Sequence, residues 1–188
     1  MSPRVTLVAD GEQAEFDELT APLRDAGRRV PNLMRVMGRS PKFLAGWGTF
    51  SDAVRFASTL PRRESELVIL RVSLLTGCRY SFSHHVPMGL QNGLTEAQLL
   101  ALPDWPAAPD EFAPLDRALL AATDAIVRHQ DIGDTAFAAL REHLSEAEVL
   151  DVVAVASFYL SLACIANSAG VPVDETVAAA GARFWRDL

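Results

Sequence analysis

Four residues carry side chains that can do chemistry together: Glu66, Cys78, Ser81 and His85. Each helical residue advances about 100°, so Cys78 and His85, seven apart, differ by only about 20° around a helix axis. Ser81 is four before His85, about 40° away on the same stripe. A thiol, a hydroxyl and an imidazole would then share one face, with the Glu66 carboxylate on the preceding helix. Such a set can relay a proton or activate a nucleophile. Cys78 follows Gly77 at a helix start, where free amides are expected to lower a thiol pKa. His85 is the one side-chain type on this face that titrates near neutral pH. The plain structural alternative is a small buried cysteine, a solvated His-His pair and a carboxylate serving its own helix end.

These residues need helices to hold them. From Leu67 to Leu75 seven of nine positions are apolar, which marks a helix buried on most of its circumference. Glu66 at its mouth therefore needs a partner, and Arg71, a second charge in it, is expected to pair with an acid elsewhere or to touch substrate. The Thr76-Gly77 pair ends this helix, and the next runs from Cys78 to Leu90 with Pro87 near its end. Earlier, helices are expected over Glu12–Ala26, Pro31–Met37 and from Pro41 to Leu60 with a break near Ser51. Capping boxes at Thr95/Gln98 and Ser145/Glu148 open two later helices, the second reaching about Ser168. The proline-rich 103–114 stretch reads as a loop, followed by helices over Leu115–His129, Asp134–Leu144 and Glu175–Trp185. The expectation is one all-α domain over residues 1–188. An echo at an offset of 82, matching Glu66 to Glu148 and His85 to Asn167, raises two duplicated helical halves.

Composition narrows the function classes. The chain has 188 residues, 49% hydrophobic and 22% charged, which excludes disorder. A net charge of -7 repels phosphate backbones, so no nucleic-acid partner is expected. The most apolar run, Val152 to Ala166, is short for a membrane span and fits a buried helix. No secretory pattern opens the chain, and Cys78 and Cys164 make no disulfide framework, so a cytoplasmic protein is expected. No metal or cofactor is expected, since adjacent helical histidines such as His84 and His85 point about 100° apart. Phe43, Trp47, Phe50 and Phe56 crowd one region with aromatic surface suited to self-association.

Glu66, eleven residues, Cys78, two residues, Ser81, three residues, His85 follows the spacing of the Glu–Cys–Cys–His signature of alkyl hydroperoxidase D-like proteins, with Ser81 in the place of the second cysteine. Arg62 to Val72, Gly77 to Tyr80, His84 to Gly89 and Gly93-Leu94-Thr95 resemble the wider carboxymuconolactone decarboxylase family. So do Arg39 to Leu44, Phe158-Tyr159 and Gly170 to Asp174. The resemblance covers roughly Val30 to Asp174. It implies an all-helical bundle, Glu66, Cys78 and His85 as catalytic residues, and a homo-oligomer, trimer or hexamer. Members with two motif cysteines cycle a disulfide between them, and serine cannot form that bond.

Three functions follow from this. The first is a cofactor-independent acid–base enzyme of decarboxylase or lyase type acting on a small organic acid or lactone. There His85 moves the proton, Glu66 orients it, and Ser81, Tyr80, His84 and Arg71 contact substrate. The acidic chain would then need a locally basic pocket. The second is a thiol-dependent peroxidase using Cys78, and the third a binding module with a degenerate site.

Overall fold

The computed structural model describes residues 3–186, which form ten α-helices and no strand. The element that organises them is α4 (Arg62–Leu75). Every residue from Ser65 to Leu74 is buried, so the helix runs through the core. Around it pack α5 (Arg79–Gln91), α7 (Pro114–His129) and α9 (Glu146–Ala169). Two charged residues of α4 fasten it to α7. Arg63 donates to Asp116 at 2.6 and 2.9 Å, and Arg71 donates to Asp124 at 2.6 and 2.8 Å. Bidentate guanidinium–carboxylate geometry fixes orientation as well as distance. Arg71 also caps the carbonyls of Leu102 and Pro103, at 2.9 and 3.0 Å.

The corner between α4 and α5 sets the site. Gly77 takes φ +62°, a left-handed conformation open to glycine. The Cys78 amide donates to Ser73 O at 2.8 Å and the Gly77 amide to Leu74 O at 3.1 Å. That is a Schellman closure, which satisfies the last carbonyls of α4 and turns the chain straight into α5. Cys78 is thereby the N-cap of α5, not its first helical residue. The helix continues past Pro87 to Gln91, a little beyond the expected end. The last helix, α10 (Glu175–Phe184), packs on α5 so tightly that a Cβ at Gly181 would overlap the Ser83 side chain.

Both expected capping boxes form. Thr95 and Gln98 open α6 (Glu96–Ala101), and Ser145 and Glu148 open α9. Gly170, at φ +67°, ends α9. By length and hydropathy α9 could cross a bilayer, but half of its apolar window is buried against the rest of the fold, as in a core helix. The helices α1 (Ala14–Asp25), α2 (Asn32–Met37) and α8 (Gly133–Arg141) complete the set. The 103–114 stretch is two short 3-10 turns, Leu102–Ala107 and Pro109–Glu111. The 82-residue echo does not relate two equivalent halves. It lays the helix–corner–helix of α4 and α5 onto the single continuous helix α9, where both Glu148 and Asn167 lie.

Between Pro41 and Leu60 the helical run does not break near Ser51 but changes type there, and it ends at Ala57. The helix α3 (Pro41–Asp52) passes directly into a π-helical turn, Ala53–Ala57. Asp151 of α9 accepts from the Thr59 amide at 2.6 Å and its hydroxyl at 2.8 Å, anchoring the end of that turn. This widened turn carries Arg55.

Candidate active site

Glu66 is completely buried, and its two oxygens divide their partners. Oε2 lies 2.7 Å from Nδ1 of His85. Oε1 lies 2.5 Å from Nη2 of Arg62, one turn earlier on α4, but off the axis of a good hydrogen bond, so that contact is chiefly charge. The plain alternative for Glu66, a carboxylate serving only its helix end, does not describe this geometry. The His85 ring is 6% exposed and stands edge-on to Tyr159 of α9, with centroids 4.9 Å apart. Burial pushes the His85 pKa below its usual value. Glu66 pulls in the opposite direction, while the cations of Arg62 and Arg55 add to the depression. A neutral imidazole whose Nδ1–H donates to Glu66 leaves Nε2 as the basic nitrogen.

Cys78 differs from the expectation in two ways. It is fully buried, and burial raises its pKa to about 11, against the lowering pull of the Ser81 and Tyr80 amides. Helix-start amides thus do not produce a thiolate here, because desolvation of the charged form outweighs them. Cys78 is also absent from the cavity lining that includes Ser81 and His85. As N-cap it has non-helical dihedrals (φ -83°, ψ 82°), so the 100° step does not extend back to it. The Ser81 hydroxyl is paired with Ser73 of α4, Oγ to Oγ at 2.9 Å, and Ser73 in turn donates to Ile69 O at 2.7 Å. Cys78 and Cys164 are both free thiols.

A cavity of 790 Å³ opens beside this group. Tyr80, Ser81, His84 and His85 of α5 form one wall, Phe158, Tyr159 and Leu162 of α9 another. Leu33, Met34, Met37, Leu44 and Trp47 make the remainder largely apolar. His84 and Tyr80 belong to a second polar group at its edge. Nε2 of His84 lies 2.8 Å from Asp174, the His84 and Tyr80 rings are 4.6 Å apart, and the Tyr80 hydroxyl accepts from the Leu33 amide at 3.3 Å. Burial, with Asp174 beside it, raises the Tyr80 pKa.

The expected substrate contact at Arg71 lies elsewhere. Its guanidinium is consumed by Asp124 and two carbonyls, and it is absent from the cavity lining. Arg62, Arg55, Ser73 and Tyr159 are the members of the site that spacing did not single out. Arg62 was legible in principle, since it lies at i−4 from Glu66. Arg55 and Tyr159 come from remote elements, and nothing in a local pattern announces them.

Fold and site together define an all-helical bundle protein built around a buried Glu–His pair at the wall of an apolar cavity. The family model of the carboxymuconolactone decarboxylase family matches residues 41–125, which include α4, α5 and the whole Glu66–His85 motif. The uncharacterized protein YdfG of Bacillus subtilis (strain 168) is 27% identical over 100 residues, 52% of this chain and 67% of its own. An uncharacterized peroxidase-related protein from Silicibacter sp. TM1040 superposes with a TM-score of 0.80 at 18% identity, covering 94% of each chain. The debrominase Bmp8 in complex with 2,3,4-tribromopyrrole has the same fold, with a TM-score of 0.78 at 16% identity over 98% of this chain and 99% of that one. Residues 41–125 are thus similar to the carboxymuconolactone decarboxylase family, and the fold of the chain is that of the alkyl hydroperoxidase D-like structures.

Proposed function

We propose that this protein is a cofactor-independent acid–base enzyme of decarboxylase or lyase type, acting on a small organic acid or lactone. The observation that carries the reading is the 2.7 Å contact between Glu66 and His85 at a cavity wall. Glu66 holds the ring in one tautomer and stabilises the imidazolium that forms when Nε2 takes a proton from substrate or water. The same proton can then quench the electron pair left on carbon when a neighbouring bond to a leaving group breaks. Delocalisation of that pair into a conjugated carbonyl is the substrate's part.

A thiol-dependent peroxidase is the weaker reading. Its nucleophile would be a buried thiol whose pKa stands near 11, and the motif partner is a serine. A binding module with a degenerate site would be favoured by a small or sealed pocket, whereas the cavity at His85 is open and measures 790 Å³.

The test is a panel of β-keto acids and unsaturated lactone carboxylic acids, followed by carbon dioxide release and loss of ultraviolet absorbance. Turnover that falls by roughly 100-fold or more in His85→Gln supports the reading, the usual size of a general acid–base contribution. Peroxide consumption with a dithiol donor, abolished by Cys78→Ala and indifferent to His85→Gln, would replace it with the peroxidase.

A further inference from the structure

We infer that Arg55 is the anion anchor of the cavity, and that the site takes a largely apolar small molecule bearing one carboxylate. The inference rests on this cavity being the working site, and adds to it the class of molecule held there.

The π-helical turn Ala53–Ala57 puts Arg55 on the cavity lining, in company with His85, Ser81 and Tyr159. Such turns are uncommon and concentrate at functional sites, because the extra residue re-aims a side chain. Arg55 Nε is buried and has no hydrogen-bond partner among the described residues. No carboxylate lies within ion-pair distance of its guanidinium among them either. Three arginines of α4 contrast with it, since Arg62 faces Glu66, Arg63 faces Asp116 and Arg71 faces Asp124, while Arg28, the other arginine on the lining, is exposed to solvent. The contact made by the Arg55 guanidinium is with the Phe56 ring, 5.0 Å from its centroid, which leaves the charge uncompensated. The Arg55 charge nevertheless reaches both His85 and Tyr159.

A partly desolvated guanidinium without a counter-charge is unfavourable, and a bound anion removes that penalty. The guanidinium fork matches a carboxylate in bidentate geometry. Asp52 is the one carboxylate on the lining; it is exposed and in no ion pair with Arg55 among the described residues. Leu33, Met37, Leu44, Phe158 and Leu162 supply the walls for an apolar body. The volume, 790 Å³, falls in the range of about 300–1,000 Å³ usual for small-molecule sites. An acid seated on Arg55 would place its apolar frame against those walls, with His85 in reach of the carbon skeleton. This also resolves how a chain with net charge -7 could recruit an acid: the positive charge is local.

The test is calorimetric binding of 2-naphthoate and of its neutral isostere 2-naphthamide to the full chain at neutral pH. Naphthoate should bind at least about tenfold tighter, a charge-assisted pair being the difference. In Arg55→Met that preference should vanish with naphthamide affinity unchanged, and Arg55→Lys should recover part of it. Equal affinities in the wild type, binding of neither probe, or a preference that persists in Arg55→Met would overturn the inference. If Arg55→Met fails to fold by circular dichroism, the wild-type preference and its reduction in Arg55→Lys decide. The carboxylate preference is read on the wild type and the Arg55 variants alone, and turnover on His85→Gln. Carboxylate preference without any His85-dependent turnover would therefore keep the anchor and discard the acid–base reading, and the reverse pattern would discard the anchor alone.

Discussion

Nδ1 of His85 stands 2.7 Å from Oε2 of Glu66, across the corner that joins α4 to α5. The pair is buried, and Arg62 closes the other oxygen of the carboxylate. Replacing Glu66 with Gln keeps the shape but removes the charge that stabilises the imidazolium. Turnover on an accepted acid should fall by at least about tenfold, and by more in His85→Gln, where about 100-fold or greater is expected. Unchanged steady-state rates in both variants would remove the pair from the mechanism.

The same pair predicts a pH dependence. Burial depresses the folded-state pKa of His85 below the ordinary value of 6.5, and Arg62 and Arg55 deepen the effect against Glu66. Below that ordinary value the unfolded chain takes up a proton that the folded protein resists. Stability is therefore full above about pH 6.5 and declines as the pH falls toward the depressed folded value. Denaturation midpoints between pH 7 and pH 5 should show this decline, and His85→Gln should flatten it by at most about one proton. Asp174 behaves separately. Burial raises its pKa, but the hydrogen bonds from His84 and the Asn32 amide outweigh that and hold it below 3.8, so its stabilisation is lost only at more acid pH.

Thiol accessibility should separate the two cysteines. Cys164 is exposed and Cys78 is buried with its pKa near 11. In the native protein at pH 8 an aromatic disulfide reagent should label Cys164 rapidly, and Cys78 only after denaturant is added. Fast labelling of Cys78 in a Cys164→Ala variant would show that the thiol is available and revive the peroxidase. Ser81→Cys should place a second thiol three residues after Cys78 and permit reversible disulfide formation, read as loss of both thiols on mild oxidation.

Arg71 should matter for stability and not for substrate. Removing one member of a buried ion pair costs about 3–5 kcal/mol, and here the exposed Arg128, 3.4 Å from Asp124, compensates part of the charge left behind, so the lower end of that range is expected. Arg71→Ala should lower the unfolding free energy by that amount in urea titrations. The double variant Arg71→Met with Asp124→Leu should recover most of it. Loss of ligand affinity in a still-folded Arg71 variant would contradict this assignment.

Self-association is the remaining expectation. Trp47 and Phe50 pack on Phe158 at 4.6 and 5.2 Å, yet Phe50 is still 48% exposed, Phe43 46% and Phe56 72%. That much exposed aromatic surface on one side of the fold is characteristic of an interface. Light scattering at micromolar concentration should give the mass of a trimer or hexamer, and Phe43→Asp should shift it toward the monomer. A monomeric wild type would end this expectation.

Much of the fold was written locally. The apolar run Leu67–Leu75 marked α4 as central, the Thr95/Gln98 and Ser145/Glu148 boxes marked two helix starts, and Gly77 marked the corner. Each is decided within one or two turns of chain, by capping and periodicity, which is why spacing reveals it. The motif spacing likewise nominated Glu66 and His85 together, since a fixed corner between two helices converts chain distance into spatial proximity.

Tertiary structure alone decided the rest. Whether Cys78 is a thiolate depends on how completely neighbouring elements exclude water, and desolvation is not encoded in the residue's own position on a helix. Arg71 became a tie between α4 and α7 because Asp124, far along the chain, happens to face it. Arg55 and Tyr159 enter the cavity from a π turn and from α9, elements whose relation to His85 exists only after packing. Sequence determined the helices and the acid–base pair because those are short-range relations; the charge, access and remaining walls of the cavity are long-range ones, and only the packed bundle brings them together.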